Sequence, residues 1–177
     1  MGDSFKESMA KTMSDFNREI LPLLQKTYPD AKFVEIEGRA DDEIAKDFDI
    51  YAGIDVYRVR TEQGEMVGIA SRIQRGKAWK TFTVRYKRDS GTKTEYEKRK
   101  QAIKSGSLYP YFTMQAYISD KETVVGLCKT TDLIKFIDTC NPKLQHTGAT
   151  QHGQASFYVC GWDEMRKSGY IVRELRA

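Results

Sequence analysis

The apolar residues of this chain change their period near residue 29. Phe5, Met9, Met13, Phe16, Ile20 and Leu24 recur every three or four positions, and past Tyr28-Pro29 short β-rich runs take over. A period near 3.6 gives a helix one apolar stripe, whereas a period of two gives a strand one apolar face, so the switch commits the chain to a helix laid on a sheet. The pattern predicts an N-terminal amphipathic helix, opened by a capping box from Ser4 to Glu7 and closed at Pro29.

Lys32 to Ile36 reads as a short strand and the acidic stretch Arg39 to Lys46 as an exposed loop or short helix. Phe48 to Arg60, Glu65 to Gln74 and Trp79 to Tyr86 are rich in β-formers and separated by Glu62-Gln63-Gly64 and Arg75-Gly76-Lys77, which predicts an antiparallel meander. Thr94 to Lys104 reads as a polar, basic helix ending before Ser105-Gly106. Strands are expected at Tyr109 to Ser119 and Thr123 to Cys128, then a short helix from Thr131 to Ile137 capped by Thr130 or Thr131. Asn141 to Gln154, rich in Gly, Thr and Gln, reads as a loop, followed by a strand at Ala155 to Cys160, a helical turn at Trp162 to Lys167 and a final strand at Tyr170 to Leu175.

Helices and strands mix here without strict alternation, so the expected class is α/β in the broad sense, an α+β or mixed-sheet core. A chain of 177 residues, 40% of them apolar, suffices for one core and is short for two. Residues 1–140 are expected to form that core, with 141–177 a C-terminal loop and β extension of the same domain. No apolar run approaches the length of a membrane span and no basic segment leads into an apolar one at the N-terminus. Three cysteines fit reduced thiols better than a disulfide framework. The expectation is a cytoplasmic protein without membrane contact; the oligomeric state stays open.

Charge is concentrated along the chain. Twelve of the 29 Lys and Arg residues lie between Arg72 and Lys104, opposed by Asp89, Glu95 and Glu97, so that window carries +9 while residues 1–71 carry −6. Cations interleaved with Trp79, Phe82, Tyr86 and Tyr96 suit a polyanion whose phosphates need charge and whose bases lean on rings. Nucleic acid is the expected partner, DNA ahead of RNA. Arg72, Arg75, Lys77, Lys80, Arg85, Lys87 and Arg88 are its candidate contacts.

Residues two apart on a strand share a face, so Val67, Ile69 and Ile73 should face one way and Ala70, Arg72 and Gln74 the other. Asp55, with Asp49 and Tyr57 at the same parity, should come from the preceding strand. A carboxylate on one strand beside a cation on the next suits phosphate chemistry, with Gln74 available to orient a water.

The run Asp49-Ile-Tyr-Ala-Gly53-Ile54-Asp55, a hairpin, then Ile69-Ala70-Ser71-Arg72-Ile73-Gln74, resembles the core of the PD-(D/E)xK nuclease superfamily, the restriction-endonuclease-like fold. The later segment Phe82-Thr-Val-Arg85 through Gly91-Thr-Lys-Thr-Glu95, with the basic helix behind it, is similar to phage and bacterial members of that group. The likeness covers about residues 4–138. It implies a helix leading into a meander, an Asp on the second strand and an acid on the third binding Mg²⁺, and a Lys two residues later that helps to activate water. Matched by position, Asp55 stands at the first acid, Ala70 at the second and Arg72 at the Lys. Alanine has no ligating atom and a permanently protonated Arg is a poor base, yet Arg binds phosphate well.

The resemblance therefore implies a nucleic-acid-binding protein on a nuclease-like core whose metal site is weakened or lost. An active Mg²⁺-dependent nuclease is the second expectation, with Asp55, Arg72, Gln74 and Glu95 as catalytic candidates and Asp49 as a second metal ligand beside Asp55. Glu19 on the first helix is a more distant candidate. A third is a non-enzymatic, phage-type protein that occupies a host nucleic-acid enzyme, since the −6 and +9 portions would also suit a charged protein surface. Cys140, His146, His152 and Cys160 carry zinc-type ligands but lack the close pair that structural zinc sites use, so small core thiols and loop histidines are expected rather than Zn²⁺. Tyr109, Tyr111, Thr113, Gln115 and Tyr117, on one strand parity, offer either a stacking platform for single strands or, more cheaply, a half-buried strand with aromatic pairing.

Overall fold

A computed structural model describes residues 5–36, 43, 52–88, 91–146 and 155–177. The N-terminal helix runs as α1 (Phe5–Asp15), a π-helical segment (Phe16–Ile20) and α2 (Leu21–Thr27). Pro22 explains the wide turn, because its ring removes one N–H and crowds the carbonyl four residues back, and the Leu21 N–H reaches Phe16 instead. The stripe formed by Phe16, Ile20, Leu23 and Leu24 is buried against the sheet, as the apolar period predicts. Ser4 of the expected capping box lies outside the described residues, as does most of Arg39 to Lys46.

Two sheets follow. The larger orders its strands β1 (Lys32–Glu35), β2 (Val56–Arg60), β3 (Glu65–Arg75), β5 (Phe112–Ile118), β6 (Thr123–Lys129) and β9 (Arg173–Arg176). Its neighbours are antiparallel except β3 and β5, which run parallel. The smaller is antiparallel, in the order β4 (Thr81–Arg88), β8 (Ala155–Gly161), β7 (Lys143–His146). The molecule is thus a mixed α/β protein with a six-stranded mixed sheet and a three-stranded antiparallel one.

The expected meander is shifted by one strand. β1, β2 and β3 form it, and the run beginning at Trp79 does not pair with β3 at all. Both edges of β3 are already taken, by β2 and β5, and the Gly76 N–H bonds to the Ile118 carbonyl, tying the end of β3 to the end of β5. The chain then turns through positive φ at Gly76 and Lys80 and enters the second sheet. A parallel pair needs a crossover; β4 and helix α3 (Glu95–Ser105) supply it.

One core lies between the N-terminal helix and the large sheet. The other lies between the two sheets, filled by Phe82, Val84, Tyr117, Cys160 and Trp162 with the apolar faces of α4 (Thr130–Cys140) and α5 (Trp162–Lys167). Gly126 on β6 sits where any Cβ would collide with the Trp162 ring. Helix α4 runs beyond the expected Ile137, and its threonine does not cap it: Thr130 Oγ1 pairs with Thr113 Oγ1 at 2.9 Å, leaving Lys129 at the N-cap without a side-chain bond. Part of the expected loop after Asn141 is strand β7, because Lys143 to His146 finds the free edge of β8. Segment 141–177 completes both sheets through β7, β8 and β9. Among the described residues, no helix is long and apolar enough to cross a membrane.

Candidate nucleic-acid interface

β3 presents Ala70, Arg72 and Gln74 on the face away from the N-terminal helix, and the parallel register sets them beside Thr113, Gln115 and Tyr117 of β5. β4 of the second sheet closes over this polar row. Tyr117 Oη donates to the Thr81 carbonyl at 2.9 Å, and Thr83 Oγ1 donates to Gln115 Oε1 at 3.3 Å. Arg72 sits at the centre: Nη1 donates to Thr83 Oγ1 at 3.1 Å and Nη2 to Glu95 Oε1 at 2.6 Å. Its guanidinium lies 5.1 Å from the Phe157 ring centroid, and that of Arg85 lies 5.3 Å from the same ring. Both cations thus rest on one buried ring, whose π-face attracts them.

Beside Arg72 opens a cavity of about 220 Å³. Asp55, Ala70, Ser71 and Arg72 line one wall, Thr83 and Arg88 another, and Lys93, Glu95, Lys98 and Arg99 a third. The third wall is the start of α3. Thr94 caps it reciprocally with Glu97, and Glu95, Lys98 and Arg99, spaced by three and four, fall on one helix face. A helix start directs unpaired N–H groups and a partial positive charge outward, which adds to the cations around it. Gln115, 1% exposed, also borders the cavity, and its Nε2 has no hydrogen-bond partner. The buried Nε atoms of Arg85 and Arg88 likewise lack acceptors.

Burial alone would raise the Glu95 carboxyl, but Arg72, Arg99 and Arg85 outweigh it and hold the group below its ordinary value, so it is an anion at neutral pH. Arg99, 9% exposed, is pulled down by burial and supported by Glu95 and Asp55. Burial also lowers Arg85, against the pull of Glu95. Asp55 precedes β2, is half-buried, and accepts the Ser71 N–H on Oδ2. The site is a lattice of guanidinium groups around two carboxylates, with cations in excess.

The predicted residues divide. Asp55, Arg72, Glu95 and Arg88 meet at the cavity, with Arg85 behind Glu95. Gln74 does not join Asp55: two residues farther along β3, it lines a separate hollow with Arg75, Lys77 and Trp79. Arg75 is tied to the buried Asp15 of α1 and Lys80 to Glu174 at 3.1 Å, so both contribute to the scaffold's own ion pairs. Lys87 is exposed on β4. Glu19 pairs with Arg18 on the N-terminal helix and does not line the cavity. Asp49 lies outside the described residues.

Of the window's rings, Phe82 is buried on Trp162, and Tyr86 and Tyr96 pack on Tyr158. Tyr117 is buried on Trp162, so its strand is no stacking platform there. Cys140 is exposed at the end of α4, His146 bonds Ser156 Oγ at 2.7 Å from β7, and Cys160 is sealed in the core; His152 lies outside the described residues.

Lys93, Lys98 and Arg99 are not singled out by the sequence, and Gln115 stands out there only as part of the Tyr109 to Tyr117 strand run. The available signal is the 95, 98, 99 spacing on a helix without an apolar stripe, which reads equally as a solvated face until the helix start is placed over the sheet.

Around Arg72 the described residues favour an anion over a resident Mg²⁺, while Asp49, the expected second ligand beside Asp55, lies outside them. Ala70 offers no ligand, Glu95 is held by Arg72, and guanidinium groups surround both. Among the described residues no three His, Cys, Asp or Glu side chains gather. Glu35 is nearest to an exception: its Oε1 is buried without a partner, on a cavity of about 10 Å³ that Asp55 also lines. The donor set suits an anion better than a cation. Comparison with known proteins finds no matching family model, curated protein or solved structure.

Proposed function

We propose that this protein binds nucleic acid, seating a backbone phosphate in the cavity at the start of α3, on a restriction-endonuclease-like core whose metal-ligating pattern has given way to a phosphate-binding one. The observation that carries the reading is the convergence of Arg72, Arg88, Lys93, Lys98 and Arg99, from two strands and a helix start, on one cavity. Three features support the family part. A helix leads into the β1-β2-β3 meander, Asp55 stands at the second strand, and Ala70 and Arg72 stand on the third. Arg72 acts as the clamp, trading Glu95 for a phosphate oxygen in a charge-assisted, forked hydrogen bond. Arg99 and the α3 start hold the second oxygen, and the exposed Lys87 meets a neighbouring phosphate.

Binding to labelled DNA and RNA across a salt series is the test. With about four phosphates neutralised, affinity should fall roughly a hundred-fold between 50 and 200 mM salt. Salt-independent binding, or a protein complex with no nucleic-acid binding, overturns the reading. The same series carries Mg²⁺ and Mn²⁺ arms, because the unpartnered Glu35 oxygen lies beside Asp55. Cleavage that disappears in Asp55→Ala would replace binding by hydrolysis as the function.

A further inference from the structure

The Arg72 cavity adjoins two further hollows. A smaller hollow joins Arg72 and Thr83 to Gln74 and Gln145, and a larger one of about 520 Å³ continues from Gln74 and Gln145 to Lys77 and Trp79. Arg72 and Thr83, hydrogen-bonded to each other, border the first two hollows, and Gln74, Thr83 and Gln145 border the last two, so the three adjoin in a row, a segmented groove from the α3 start to the turn before β4. Its chemistry changes along its length: cations and a helix start at one end, neutral amides and hydroxyls in the middle, an indole at the other. Arg72 and Gln74 are about 7 Å apart along β3, so the middle is short.

Trp79 is 64% exposed, whereas Phe82, Tyr86 and Tyr96 of the same window are partnered inside the protein. The Lys77 ammonium lies 4.4 Å from the centre of the Trp79 ring, which orients the indole and places a cation beside it. An exposed indole braced by a lysine, at the end of a groove whose other end gathers cations, is an arrangement for one phosphate and one aromatic face of the same ligand.

We propose that the groove is a track for a single nucleic-acid strand, with a phosphate in the Arg72 cavity, sugar and base edges along Gln74, Gln145 and Thr83, and an unpaired base stacked on Trp79; this rests on the nucleic-acid reading of the cavity. A paired base keeps both faces inside its own stack, so only an unpaired one can lie on the indole. The ligand class is therefore a single strand, a flap or an unpaired end rather than an intact duplex.

Fluorescence anisotropy with labelled DNA and RNA single strands of about twelve nucleotides, and a duplex of equal length, tests this on the full chain. Single strands should bind more tightly than duplex at matched salt. Trp79→Ala should weaken the single strand roughly ten-fold and leave the duplex unchanged, while Trp79→Phe, which keeps a ring, should retain most of the affinity. If Arg72→Ala weakens the single strand and Trp79→Ala does not, the groove is overturned and the phosphate cavity stands. Equal losses on strand and duplex in Trp79→Ala also overturn it. Absence of any nucleic-acid binding overturns both readings.

Discussion

Arg72 and Glu95 face each other across 2.6 Å, with roughly a quarter of each side chain exposed. Their exchange is a prediction with opposite signs. Arg72→Ala removes the clamp and should weaken nucleic-acid binding by roughly ten- to a hundred-fold, since a hydrogen bond to a charged group is worth about 1.5–3 kcal/mol. It should also flatten the salt dependence by about one phosphate. Glu95→Gln removes the anion that competes for Arg72 and should tighten binding several-fold; a titration of both variants at one salt concentration reads the contrast. Arg72 was legible from strand parity and from the resemblance of its segment to the nuclease pattern. Glu95 was legible only as a displaced acid, because its partner depends on where α3 begins over the sheet.

At the level of elements, β6 and α5 are locked by the absence of a side chain. Gly126 lets the Trp162 ring lie against the β6 backbone, and the indole is completely buried there. Gly126→Ala forces the ring or the strand to move and should cost about 1–3 kcal/mol, read as a lower urea midpoint with the transition slope unchanged. α3 is the second element with a specific role. Its capping box sets its first turn, and that turn sets the cavity wall. The sequence marks the helix by composition, but its polar 95, 98, 99 stripe has meaning only because β3 and β5 supply the opposite wall.

Across the whole molecule, Glu174 ties the C-terminal strand to two other parts of the chain. It meets Lys80 and Arg166, each at 3.1 Å, and Arg176 at 2.6 Å. Burial raises its carboxyl, but hydrogen bonds from Lys80, Arg176 and Arg166 overcome this and bring it to about 2 from an ordinary 4.5. A depressed acid stabilises the fold above its unfolded value and loses that contribution as pH falls through the folded one. Urea midpoints should therefore drop between about pH 4.5 and about pH 2, and Glu174→Gln should make that drop shallower. The N-terminal helix, the β-rich runs and the parity of β3 were written in local periodicity and the basic helix in local composition, all of which depend on neighbours a few residues away. Which strand meets which was not: β4 left the meander because β5, some forty residues after β3, claimed its free edge. The cationic residues were visible in the sequence as a cluster, yet Arg75 and Lys80 went into ion pairs with Asp15 and Glu174 while Lys93, Lys98 and Arg99 went to the cavity. By itself the sequence determined the periods, the charge block and the aspartate beside a polar strand face. Only tertiary structure decided which charges line the cavity, because that depends on contacts between residues far apart in the chain, and no local pattern encodes them.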